Sequence, residues 1–317
     1  MDKIMTSTNL SDIYPDIFIL EGLPGVEPSH VWISIILLIM YVLAMCGNPL
    51  MVLLIVSEPR LHNPMYYFLC SLFLTDIIML NSIVPKMFCI FWLNQKEISF
   101  LSCYIQMFFV HCLSSLESGI LMAMAFDRYM AICNPLHYIS VLTNTLIMKI
   151  VLVLVIRSTV IVIPISWMSS RLPYCQSHII PHSYCDHMAV AQLSCTDITI
   201  DNAYGLTVVL IVIVFDISCI AVSYYLILRA VFRLSTKNAK SKAFGTCSSH
   251  ICTILMLYTL GLFSFVTYRI GNIAPYIHVI MSNIYLLIPP TLNPIIYGVR
   301  TQEIRTAAFH LFTPVAY

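Results

Sequence analysis

The run MAMAFDRYMAICNPLHY, residues 122–138, ends an apolar stretch with Asp127, Arg128 and Tyr129 placed where a hydrophobic helix would leave a bilayer. Charge is expensive in hydrocarbon, so such a triplet is either an interfacial anchor or a polar lock turned into a bundle. The surrounding chain fits a membrane setting. Of its 317 residues 59% are hydrophobic and 10% charged, with mean hydropathy +0.88, whereas soluble domains carry about 25% charged residues. A net charge of +1 offers no basic field for nucleic acid, and nine glycines argue against a Gly-rich phosphate loop, of which none is present. No Cys-x-x-Cys or HExxH string suggests a metal site, and no nucleophile and base converge as an enzyme would need.

Residues 31–56 form an uncharged run of 26, more than the ~20 a helix needs to cross a bilayer. Similar stretches cover 66–91, 101–132, 146–168, 203–231, 249–268 and 276–299, which predicts an all-α membrane protein with seven spans. Segments this long exclude a transmembrane barrel. Arg60, Arg128, Lys149, Arg229, Arg233, Lys237, Lys240, Lys242, Arg300 and Arg305 fall on one side, against Lys3, Lys86, Lys96, Arg171 and Arg269 on the other. The positive-inside rule therefore places the amino terminus outside the cell.

Three regions follow: a polar tail 1–30, the seven-span body 31–300, and a cytoplasmic tail 301–317. The outer tail carries a glycosylation sequon at Asn9. In the inner tail Ile304, Ala308, Leu311 and Phe312 recur at helical spacing, which reads as a short amphipathic helix on the bilayer surface. The outer loop 169–202 is long enough to cover something. No internal repeat of the transporter kind is present.

Several strings narrow the class. FDRYMAICNPLHY (126–138), LHNPMYYFL (61–69), KAFGTCSSH (242–250) and PPTLNPIIYGVRTQEIR (289–305), with Tyr258 in the sixth span, resemble the odorant receptors, a branch of the rhodopsin-like G-protein-coupled receptors. The likeness covers the whole chain and is nearest to the class I, fish-like, families 52 and 51. It implies a plasma-membrane receptor that binds a small odorant in the outer half of the bundle and activates a stimulatory G protein to raise cAMP. A non-olfactory chemosensory receptor of the same fold, or an ion channel or transporter, are the competing readings. A retinal photoreceptor is disfavoured, since residues 276–299 hold no lysine for a Schiff base.

Four cysteines lie at the outer side: Cys103 at the outer start of the third span, and Cys175, Cys185 and Cys195 in the long outer loop. Four allow three pairings; the resemblance implies Cys103 with Cys185 and Cys175 with Cys195. Asp76 and Glu117 stand mid-span, where an acid is costly. They are either protonated structural acids or, as the resemblance favours, oxygen donors to a sodium ion; no other cofactor is expected. A proline frees a helix carbonyl, and the neighbouring Asn293 of Asn293-Pro294-Ile295-Ile296-Tyr297 is expected to take it up. With Asn48, Asp127, Arg128, Tyr129 and Tyr224, this string resembles the receptor switch that faces the G protein, near Lys237 to Lys242.

For the ligand, Arg269 at the outer end of the sixth span can fork onto a carboxylate, as the resemblance to class I receptors implies. Met107, His111 and Ser115, with Phe108 and Cys112 alongside, are expected to present one face of the third span. Tyr258, Leu262 and Phe265 would line the apolar end. Arg157 and Asp216 are either paired across adjacent spans or snorkelling separately. Leu260 occupies a place where class I receptors usually carry proline, with Gly261 as a substitute bend, and Pro49 is expected to bend the first span.

Overall fold

The computed structural model describes residues 15–25, 30–175, 177–233, 237–269 and 274–312. Among them seven helices are long and apolar enough to cross a membrane. These are α1 (His30–Ser57), α2 (Pro64–Leu93), α3 (Phe100–Cys133), α4 (Asn144–Ser170), α5 (Thr199–Phe232), α6 (Lys237–Arg269) and α7 (Pro275–Arg300), followed by α8 (Gln302–Phe312).

Local chemistry sets many of the ends. Pro64 and Pro275 open α2 and α7 at positions where a missing N–H costs nothing. Ser99 and Thr143 cap α3 and α4 by accepting from Ser102 N and Leu146 N. Asn94 closes α2 in the left-handed region, at φ 53°. α6 begins twelve residues before the apolar run predicted for it, because Lys237 to Ser248 contain good helix formers and no proline. Apolarity marks the part of a helix in lipid, not its length.

α3 is the axis of the bundle. Its apolar window is 72% buried, against 17% in α1 and in α5, whose outward residues face the surroundings. A continuous core of Leu69, Leu72, Phe73, Leu80, Ile120 and Leu287 joins α2, α3 and α7. At the opposite end from the lid described below, α8 packs Ile304 and Ala307 inward and leaves Phe309 exposed.

Part of the polar tail preceding α1 forms a strand that the sequence reading did not anticipate. Ile17–Leu20 forms strand β1, antiparallel to β2 (Glu97–Ser99) and parallel to β3 (Ile179–Ile180), in the order β2-β1-β3. Its alternation is that of a half-buried strand: Phe18 and Leu20 are fully buried while Ile17 and Ile19 face outward. α1 runs unbroken through Pro49, and α6 unbroken through Leu260 and Gly261. Gly261 allows close approach, since a Cβ there would lie 3.0 Å from the Tyr285 ring of α7.

Candidate functional site

The loop between α4 and α5 folds into a lid. Cys185 is bonded to Cys103 at the start of α3, and Cys175 to Cys195, with Cα separations of 5.4 and 5.7 Å. Gln106 ties the first bridge to the bundle by accepting from Cys185 N at 2.9 Å while donating to Ser82 O of α2 at 2.8 Å. Beneath the sheet, Phe18, Tyr104, Met107, Tyr174, Ile180 and Val190 make a separate apolar core. The Tyr104 and Tyr174 hydroxyls lie 2.6 Å apart, and both reach Ser169 O. Asp186 caps the short helix His187–Ala191 by accepting from Met188 N and Ala189 N.

His182 is sealed within this lid. Its Nδ1 accepts from Ser183 N at 3.0 Å and the ring stands edge-on to Tyr184. Burial pushes the imidazole down to about 4; Asp186 opposes the shift and His278 adds to it. The unfolded ring titrates near 6.5, so its neutral form stabilises the lid above that value, and the contribution is lost as pH falls toward 4. Lid amides are therefore expected to exchange at least tenfold faster at pH 5 than at pH 7.5, after correction for intrinsic rates. A His182→Gln receptor should show little of that change.

Below the lid lies a cavity of about 510 Å³ between α3, α4, α5, α6 and α7, lined mostly by apolar side chains. On α3 the lining stripe is Val110, His111, Ser114, Ser115 and Ser118. His111 and Ser115 therefore reach the cavity, as do Tyr258, Leu262 and Phe265 of α6. Met107, Phe108 and Cys112 do not line it. Met107 shares the cavity face but sits one turn higher, inside the lid core. Phe108 packs against Phe109, and Cys112, about 100° around the helix from His111, meets Thr159 of α4. Arg269 ends α6, but its side chain lies outside the described residues, as does Asn9.

The roof and the floor of the cavity are polar. At the roof, the His111 and His187 rings meet edge-on with centroids 6.1 Å apart, and His187 Nε2 lies 2.7 Å from Asp201 Oδ2. Gly205 is required there: a Cβ would come within 2.8 Å of the His187 ring. At the floor, Arg157 grips Asp216 with both terminal nitrogens, Nη1 to Oδ1 at 2.6 Å and Nη2 to Oδ2 at 3.0 Å. Ser118 donates to Asp216 Oδ2 at 2.6 Å and stands 2.8 Å from the Tyr258 hydroxyl. Of the two readings of Arg157 and Asp216, the structure takes the paired one.

The end away from the lid holds the second cluster. Asp127 is fully buried and receives Arg128 Nη2 at 2.7 Å and the Tyr138 hydroxyl at 2.7 Å, so the triplet is a polar lock and no anchor. Tyr129 packs against the small core of Ile227, Val231 and Cys247, and the Tyr224 hydroxyl lies 2.8 Å from His250 Nδ1. The carbonyl freed by Pro294 is that of Pro290, and Asn48 of α1 takes it at 2.8 Å. Asn293 was the expected partner, but its side chain instead donates to Asp76 Oδ2 at 2.9 Å. Gly47 lets the two helices approach, since a Cβ would lie 2.8 Å from the Pro294 ring. Tyr297 is fully buried against Phe73. Among the described residues no group of three or more His, Cys, Asp or Glu side chains is arranged to hold a metal.

Seven membrane helices, a lid bonded to α3 and an Asp-Arg lock at the far end together define a seven-transmembrane receptor of the rhodopsin-like kind. Residues 37–314 match the olfactory receptor family. The human olfactory receptor 52N2 is 50% identical over 303 residues, 95% of this chain and 94% of its own length. Human olfactory receptors 52N4 and 52B2 are 48% and 46% identical over 98% and 97% of this chain, and over 97% and 96% of their own. The chain belongs to the olfactory receptor family, and is thus an odorant-sensing receptor of the plasma membrane that crosses it several times.

Proposed function

We propose that this receptor detects small oxygenated odorants, straight-chain carboxylic acids foremost, in the lidded cavity, and activates a stimulatory olfactory-type G protein that raises cAMP. The observation that carries this reading is the cavity itself: about 510 Å³, apolar along its walls, with a few polar groups at its two ends. Orientation follows charge. Lys149, Arg229, Arg233, Lys240, Arg300 and Arg305 lie at the end away from the lid, which supports an outward-facing lid and an inward-facing Asp127-Arg128 lock. Odorant binding shifts the bundle toward an active arrangement only as far as it prefers that arrangement.

Asp186 in the roof is a carboxylate, so an acid entering there needs a cation to offset it. Arg269 at the lid end of α6 is the proposed cation. Straight-chain acids of graded length should raise cAMP in receptor-expressing cells, and Arg269→Ala should raise the half-maximal concentration by roughly thirtyfold or more, the equivalent of losing one charged hydrogen-bonded pair. Matching alcohols that activate both forms equally would remove Arg269 from the site and leave the receptor reading intact.

The sodium reading rests on Asp76 Oδ1 and Glu117 Oε1, buried oxygens that have no hydrogen-bond partner among the described residues and suit a hard cation. In the same cells and in purified receptor, exchanging sodium for N-methylglucamine should lower the melting temperature of the wild type and leave Asp76→Asn unmoved. Equal melting in both salts would discard the ion.

A further inference from the structure

We propose that the cavity floor is a one-way hydrogen-bond acceptor, so that the receptor selects odorants whose inner end carries a donor, a hydroxyl above all. The inference rests on the cavity being the odorant site and goes further by fixing the chemistry of the end that reaches the floor.

The assignment is a count of protons. Arg157 can only donate, and it gives Nη1 and Nη2 to the two oxygens of Asp216. A carboxylate held by a guanidinium can only accept, so the single proton of Ser118 goes to Asp216 Oδ2, 2.6 Å away. The Ser118 oxygen, 2.8 Å from the Tyr258 hydroxyl, then has only lone pairs to offer, and Tyr258 must donate to it. Tyr258 lines the cavity, and with its proton committed it presents lone pairs alone to whatever arrives.

The neighbouring groups keep this polarity local. Thr259, also in the lining, commits its proton to Leu255 O at 2.5 Å. Ser115 lies one turn nearer the lid; its oxygen receives the proton of Ser158 at 3.1 Å and its carbonyl receives Arg157 Nη2. Ser114, Ser115 and Tyr285 also bring hydroxyls to the lining, so the discriminating atom is the Tyr258 oxygen at the floor. Gly119 makes the arrangement possible, since a Cβ there would come within 2.8 Å of Arg157 Nη2. From His111 at the roof to Ser118 at the floor is seven residues of helix, about 10 Å. A chain of roughly eight carbons spans that distance with one polar group at each end.

The test compares matched probes whose penultimate carbon bears either a hydroxyl or a carbonyl. Straight-chain (ω−1)-hydroxy acids and (ω−1)-oxo acids of six to ten carbons, and the methyl esters of both series, are titrated onto purified full-length receptor by thermal shift. In the wild type the hydroxy compound should bind roughly tenfold more tightly than its oxo partner at the best length, because a carbonyl oxygen facing Tyr258 meets only lone pairs. In Ser118→Ala the Tyr258 proton is released to the cavity, and the ratio should fall below about threefold or invert. Tyr258→Phe, which keeps the ring, should likewise lose the preference. An oxo compound that binds as well as its hydroxy partner in the wild type, a tenfold preference that survives both substitutions, or binding of neither series would overturn the proposal. Acids and esters behaving alike, with the hydroxy preference intact, would overturn the Arg269 anchor and leave the floor standing. Acids outbinding esters without a hydroxy preference would do the reverse.

Discussion

Arg157→Met should reduce receptor at the cell surface by tenfold or more, while Arg157→Met combined with Asp216→Asn should recover most of it. The asymmetry comes from what each change leaves behind. Asp216 is fully buried, and with arginine gone Ser118 is the one side-chain donor left to its carboxylate among the described residues. Leaving half of a buried pair costs about 3–5 kcal/mol, whereas replacing both halves by groups of similar size is often close to neutral. Methionine retains the length of the arginine stem, and asparagine can still accept from Ser118. The four receptors of this double-mutant cycle, compared by surface labelling and by melting in detergent, should yield a coupling of roughly 2 kcal/mol or more. Independent losses that simply add would show that the two groups do not need each other. Gly119→Ala offers a second route to the same network, because the new methyl displaces the guanidinium without altering any charge.

How much of this could be read beforehand depends on the range of the interaction. The seven spans follow from apolar runs longer than a bilayer requires, and such local information survives in any window of the chain. The Asp127 lock and the Asn293-Pro294 element were visible as short strings. Strand β1 was not, because its partners lie about eighty and one hundred and sixty residues away, at Ser99 and Ile179. Its four residues, Ile17-Phe18-Ile19-Leu20, are a short apolar run with no polar alternation to mark a strand, inside a tail that is polar elsewhere.

The cavity stripe was half legible. Helical periodicity places Met107 with His111 and Ser115, but the height at which the lid closes is a tertiary fact, and it turns Met107 from cavity lining into lid core. The same limit explains the capture of Pro290 O by Asn48 in place of Asn293: a proline announces an orphaned carbonyl, but not which of seven helices will satisfy it. Gln106, which binds the lid bridge to α2, has no signature at all beyond being an amide inside an apolar run.

The two lid bridges should differ in weight, with Cys185→Ser lowering surface receptor by tenfold or more and Cys195→Ser by about threefold or less. Chain entropy alone predicts a smaller contrast, about 4.5 against 3.3 kcal/mol for spacings of 82 and 20 residues. Even that is too generous to the longer loop, because α3 and α4 lie within it and remain inserted when the bond is cut. The difference comes instead from what surrounds the sulfurs. Cys103 and Cys185 are fully buried among Tyr104, Met107 and Tyr174, while Cys175 and Cys195 are exposed. A serine at 185 puts an unbonded hydroxyl into that core and releases the backbone that Gln106 holds. Strand β3, five residues upstream, then loses its fixed point, and β1 is left with β2 alone. Hydrogen exchange should therefore accelerate at residues 17–20 as well as at 177–191 in Cys185→Ser, and at neither in Cys195→Ser. Acceleration confined to the loop would mean that the amino-terminal strand is held by β2 and not by the bridge.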